Sequence, residues 1–133
     1  MEIIGAVRFA VYNETKNRAR LASSAESADT FGSRFKGLLG RDKLDEGGGL
    51  HINPCNSIHM FFMKFAIDVV FLDERLCVVK VIHGIKPWRA TRVYSRAQSV
   101  LELPEGVLAR TGTMEGDRLR FEPIEPAAAA GSH

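Results

Sequence analysis

At 133 residues, 45% hydrophobic and 26% charged, the chain has the size and apolar content of one domain with its own core, which excludes a disordered polymer. Its two cysteines, Cys55 and Cys77, supply neither a disulfide framework nor a zinc quartet. A net charge of +2 argues against a nucleic-acid partner, and the longest apolar stretch, Met60 to Leu72, is interrupted by Lys64 and Asp68 and falls short of the roughly 20 residues that span a bilayer.

Met1 to Ala10 carries Glu2 and Arg8 and lacks the apolar run of a signal peptide, so the expected compartment is cytoplasmic, with no membrane contact. Val7, Phe9 and Val11 alternate with smaller or polar residues, the period of a half-buried strand; Asn13 to Asn17 supplies a turn, and Ala19 to Ser23 reads as the returning strand. Asp29 has the chemistry of a helix N-cap, with Phe31, Phe35, Leu38 and Leu39 forming one apolar stripe and Gly40 the stop. Gly47 to Gly49 reads as a flexible connector, because no Lys-Ser/Thr or spaced glycine completes a phosphate loop. Leu50 to Asn53 follows as a short strand stopped by Pro54.

Ile67 to Leu72 carries the strongest strand signal, with Ile67, Val69 and Phe71 on one face and Asp68, Val70 and Leu72 on the other. Asp73 to Arg75 connects it to a second β-branched run, Leu76 to Ile82. Gly84 to Gln98 is a long, basic, Pro-containing connection. Val100 to Leu103 reads as a strand, Pro104 as the first position of a short helix ending near Gly112, and Gly116-Asp117 as a turn into Leu119 to Phe121. The expected fold is mainly β (α+β): one domain over 1–125, a small sandwich or partly open barrel of antiparallel hairpins with one amphipathic helix and one or two short ones, followed by a low-complexity tail over 126–133.

Arg34-Phe35-Lys36-Gly37-Leu38-Leu39-Gly40-Arg41, Ser57-Ile58-His59-Met60-Phe61-Phe62-Met63, Ile67-Asp68-Val69-Val70-Phe71-Leu72-Asp73, Pro87-Trp88-Arg89, Val100 to Gly106 and Gly116-Asp117 occur in that order. Together they make the chain resemble the family catalogued as domain of unknown function 192. The resemblance implies a compact mainly-β domain without an established activity, ligand or catalytic residue. The chain departs from the family pattern where Asp73-Glu74 runs into Arg75 rather than a glycine.

His51, Cys55 and His59 recur at every fourth position, but Pro54 disfavours a helix, and along a strand such a pair lies about 13 Å apart, too far for one metal ion. Asp68, on a strand apolar on both faces, must be paired or hydrogen-bonded if buried; backbone amides or Arg89 would serve, and an acid/base pair with His59 is the functional alternative. Met60, Phe61, Phe62, Met63 and Phe65 suit a core or an adaptable ligand surface. Trp88, Arg89, Arg92, Tyr94 and Arg96 interleave aromatic and cationic groups, as anion clamps and single-strand nucleic-acid surfaces do, or as a solvated loop would. Trp88 is expected to be buried against the Met-Phe cluster, and with Arg89 to form a wall of the main concave site.

No nucleophile elbow, metal set or phosphate loop is present. The leading reading is therefore a non-catalytic binding or accessory domain, needing no cofactor or metal. Its small anionic ligand or partner protein would meet His59, Met60, Phe61, Met63, Asp68, Trp88 and Arg89. An acid/base enzyme using His59 and Asp68 is the first alternative and an RNA-binding module the second.

Overall fold

The computed structural model describes residues 8–28 and 43–124. These build β1 (Arg8–Asn13), β2 (Ala19–Ala28), β3 (Gly48–Ile52), β4 (Ile67–Leu72), β5 (Val78–Ile85), β6 (Ser99–Pro104), the short helix α1 (Val107–Thr111) and β7 (Leu119–Pro123). The mainly-β expectation holds: seven strands form one sheet in the order β5-β4-β6-β3-β2-β1-β7. The sheet curls until its far ends meet at a Cys77–Arg118 bridge, where the Val78 amide donates to the Asp117 carbonyl (2.8 Å) and the Leu119 amide to the Leu76 carbonyl (2.9 Å). The result is a half-barrel rather than a two-layer sandwich.

Not every strand pair is a hairpin, however, because β2 and β3 run parallel, from Ser24 beside Gly48 to Ala28 beside Ile52. Parallel neighbours need a crossover of about a dozen residues or more, and the chain between Ala28 and Gly48 is long enough to supply it. The amphipathic helix expected from Asp29 to Gly40 lies outside the described residues. Gly48 and Gly49 open β3 instead of serving as a connector. At Gly49 an added Cβ would come within 3.2 Å of the Glu102 carbonyl and the Leu103 side chain, so the small residue permits strand contact that composition alone reads as flexibility. Pro104 ends β6 rather than starting α1, whose N-cap is Gly106 at φ 103°.

β4 holds the core together. All six of its residues are buried, and their alternation divides the apolar interior in two. Val70 and Leu72 face the concave side, with Val11, Leu21, Leu101, Leu103, Leu108 and Leu119. Ile67, Val69 and Phe71 face the other side, where Ile58, Met60, Met63 and Ala97 cover them. That cover comes from the two segments between strands, 53–66 and 86–98, which places the Met-Phe run and the basic connection on one surface.

Candidate functional site

The segments 53–66 and 86–98 run antiparallel as an irregular ribbon. Amides of Tyr94, Thr91 and Trp88 donate to carbonyls of Asn56, Ile58 and Met60 at 2.9, 2.9 and 2.8 Å, and the Met60 amide returns a bond to the Arg89 carbonyl at 2.7 Å. The Thr91 hydroxyl adds a partner for the Ile58 amide at 3.0 Å. Each segment then reverses in a four-residue turn, closed by Met63 N–H to Met60 O (3.2 Å) and by Arg89 N–H to Lys86 O (3.3 Å). Because Met60 pairs with both Trp88 and Arg89, the tips Phe61-Phe62 and Pro87-Trp88 lie side by side.

Both turns share an unusual backbone. Their third residues, Phe62 and Trp88, have φ of 67° and 69°. That position at positive φ is the one turns ordinarily give to glycine, because a Cβ there crowds the chain. Bulky residues so placed are held by the surrounding structure at a cost of order 1–3 kcal/mol, and such strain concentrates at functional sites. Pro87 pre-sets the second position of its turn.

The aromatic rings at these tips are presented to solvent. Phe61 is 40% exposed, Phe62 61% and Trp88 59%. They also pack on one another: His59 stacks on Phe61 with centroids 4.4 Å apart, Phe61 on Trp88 at 6.0 Å, and Phe62 meets Trp88 edge-on at 4.8 Å. The His59 Nδ1 accepts from the Phe61 amide at 3.3 Å, which orients the ring in that stack. Met60 and Met63 lie buried beneath, so the rings stand on a packed base. Lys64, Lys86, Arg89 and Arg92 are exposed around them. No acidic residue occurs from Gly47 to Ile67 or from Arg75 to Leu101.

The sequence expectations meet this geometry unevenly. Trp88 and Arg89 do adjoin the Ser57 to Met63 segment, but Trp88 is not buried, so truncating it should not carry the penalty of a core tryptophan. Nor do the two residues line a main cavity: the shallow cavity here, 450 Å³, is lined by Ser57, Ile58, His59, Phe61, Ala90 and Thr91. A larger cavity, 610 Å³, is elsewhere, between Arg20, Lys43, Glu46, Glu105 and Arg110, where cations and carboxylates mix. Phe62, part of the expected Met-Phe surface though not named among its contact residues, is the most exposed ring of the group; its positive φ has no counterpart in composition or periodicity.

Asp68 belongs to a different place. It is 1% exposed, on the same β4 face as Val70 and Leu72, and so turned away from the ribbon that carries His59. Its Oδ1 accepts from the Gly84 amide (2.9 Å) and its Oδ2 from the Gly106 (3.0 Å) and Leu108 (2.9 Å) amides. Three backbone donors, and neither Arg89 nor His59, therefore satisfy it. The Gly84 amide is available because β5 bulges opposite Asp68, Ile67 pairing with Ile85 and Val69 with Ile82. The other two amides are those a helix start leaves unpaired, and Gly106 has no side chain to cap them. Asp68 thus ties the bulge and α1 to the central strand.

Two further polar sites lie away from the expected contact residues. Asn13 donates to Thr113 Oγ1 (3.0 Å) and Asp117 Oδ2 (2.9 Å), while its Oδ1 receives the Thr15 and Lys16 amides at 3.0 and 3.1 Å. Burial alone would raise the Asp117 carboxyl, but bonds from Asn13, Lys16 and the Met114 amide, with the Lys16 charge, hold it below its ordinary range. His51, half-buried on β3, rests on Phe121 with ring centroids 4.6 Å apart, and its Nε2 has no hydrogen-bond partner. Burial pushes its imidazole down to about 4.

Cys55 and Cys77 are both thiols. Among the described residues no group of three or more His, Cys, Asp or Glu is placed to hold a metal ion, and no helix is long and apolar enough to cross a membrane.

Residues 12–121 match the family model for uncharacterized ACR proteins, DUF192. A UPF0127 protein of Thermococcus kodakarensis is 34% identical over 120 residues, covering 86% of this chain and 74% of the relative. One from Pyrococcus horikoshii is 34% identical over 116 residues, 84% of this chain and 97% of the relative. Two solved structures share the fold: a protein of unknown function from Novosphingobium aromaticivorans, with TM-score 0.71, 22% identity and coverage of 86% and 84% of the two chains, and a candidate transcription regulator from Sinorhizobium meliloti, with TM-score 0.71, 21% identity and coverage of 91% and 98%. At that identity the likeness speaks for the fold alone.

Proposed function

The chain belongs to the DUF192 family, whose relatives here are uncharacterised, and we propose that it is a non-catalytic binding domain whose paired aromatic turns take an anionic ligand or partner. One observation carries this reading: Phe62 and Trp88 occupy the positive-φ positions of adjacent turns and remain largely exposed. A fold that needed those turns only for connection would be served better by glycine at both positions. Rings held out at the cost of strain are instead suited to making contact.

The sign of the partner follows from the surroundings. Lys64, Lys86, Arg89 and Arg92 are exposed, and neither segment contributes a carboxylate. Arg89 adds a planar guanidinium able to meet a carboxylate, phosphate or sulfonate at two points. An acid/base reading built on His59 and Asp68 has no such support, because Asp68 is occupied by three amides on the other side of β4.

Trp88 is the sole tryptophan, so its emission reports directly on this surface. Anilinonaphthalene sulfonate, a planar apolar anion, is a suitable probe. It should quench Trp88 with a saturable isotherm, and Arg89→Gln with Lys86→Gln should weaken its affinity about tenfold. Quenching that is absent, or indifferent to both substitutions, would remove this assignment.

A further inference from the structure

We propose that the partner of this face is an anionic lipid surface, on which the paired turns dock peripherally. The inference rests on the binding-face reading above. It departs from the expectation of no membrane contact; docking a loop in the headgroup region makes no demand for a spanning segment.

Three observations favour lipid over other anionic partners. First, the exposed large apolar residues gather mostly on this ribbon: Phe61, Phe62 and Trp88 at the tips of two neighbouring turns and Val93 (59% exposed) further along, while Met114 and Ile124 lie apart from it. Trp and Phe are the side chains that settle at the boundary between headgroups and acyl chains.

Second, the rings already pack on one another, His59–Phe61 and Phe61–Trp88 stacked and Phe62–Trp88 edge-on. With His59 and Phe61 stacked at 4.4 Å and Phe61 and Trp88 inclined by only 25° at 6.0 Å, a nucleobase has no open slot between successive rings. Single-strand binders present separate faces on which bases stack. Here the group forms a continuous apolar knob, supported from below by Met60 and Met63.

Third, the cations flank that knob on both turns: Lys64 follows the first tip, and Lys86 and Arg89 bracket the second. Long basic side chains can extend toward lipid phosphates while their stems remain beside the apolar group. With no acid in either segment, nothing on this ribbon opposes approach to a negatively charged leaflet.

The test uses the full chain and sonicated vesicles, either pure phosphatidylcholine or with 30 mol% phosphatidylserine. Trp88 emission should shift to the blue with the phosphatidylserine vesicles and be quenched by lipids brominated near the carbonyl end of the acyl chain. Partitioning should be at least tenfold stronger than to the neutral vesicles and should weaken as salt is raised. Phe62→Gly, whose urea midpoint should match the parent's because glycine relieves the turn, should lower partitioning at least tenfold. An unshifted Trp88 emission with both vesicle types would overturn the lipid assignment. If sulfonate-dye quenching persisted in that case, the binding-face reading would stand without it; loss of both would remove both. Salt-sensitive retention of a polyglutamate peptide or of oligouridine through Lys86 and Arg89, without a vesicle response, would likewise overturn it in favour of that partner.

Discussion

A carboxylate on a strand that is buried from end to end has to be neutralised or surrounded by donors, and Asp68 takes the second course. Its burial was legible in the sequence because its neighbours on β4 are all apolar. Its partners were not, since backbone amides belong to every residue and only the bulge at Gly84 and the start of α1 bring the right ones together. Gly84 itself is favoured by its φ of 61°; a Cβ there would meet only the movable end of the exposed Glu105 side chain. His51 carries a pH-dependent consequence at the same scale. Its folded pKa is lowered from 6.5 to about 4, so the unfolded chain takes up a proton first as pH falls. Stability from this group is complete above pH 6.5 and is lost progressively toward pH 4. Urea unfolding should therefore show about 2 kcal/mol less stability at pH 5 than at pH 7 from this residue. His51→Leu should abolish that component; an unchanged pH slope in the variant would show that the imidazole titrates normally in the fold.

At the level of elements, the strands were read well where periodicity is strong, as for Ile67 to Leu72, and less well where a glycine or proline has more than one use. Gly48 and Gly49 read as a loop because glycine usually marks one, yet they start a strand that another backbone approaches closely. The two ribbon turns show the opposite limit. Their aromatic residues were singled out by composition, but no sequence pattern signals that Phe62 and Trp88 take positive φ, since glycine is the expected occupant. Exposure of Trp88 followed from the same geometry: a turn tip carries its ring outward even when an apolar cluster lies beside it. Phe62→Gly tests the strain directly. Loss of a 61% exposed ring removes little packing, while glycine relieves the backbone, so its urea midpoint should match or exceed that of the parent. A loss above about 1 kcal/mol would mean that the ring is a structural plug.

For the whole molecule, the curl of the sheet separates architecture from contact. The concave side is filled by its own apolar cluster, with α1 supplying Val107 and Leu108 and with Asp68 anchoring the helix. The Asn13–Asp117–Lys16 network ties the first hairpin turn to the loop before β7, close to where the sheet ends meet. These residues make long-range polar contacts that no local pattern announces, whereas strand periodicity makes the mainly-β class legible. The opposite side is covered by connections rather than strands, and that ribbon is where the rings and cations gather. The most direct test of this division is an amide shift map of the ¹⁵N-labelled protein titrated with anilinonaphthalene sulfonate. The expected result is saturable perturbation confined to residues 57–64 and 86–93. Perturbation centred instead on the cavity between Arg20, Lys43 and Arg110 would contradict the assignment of the binding face.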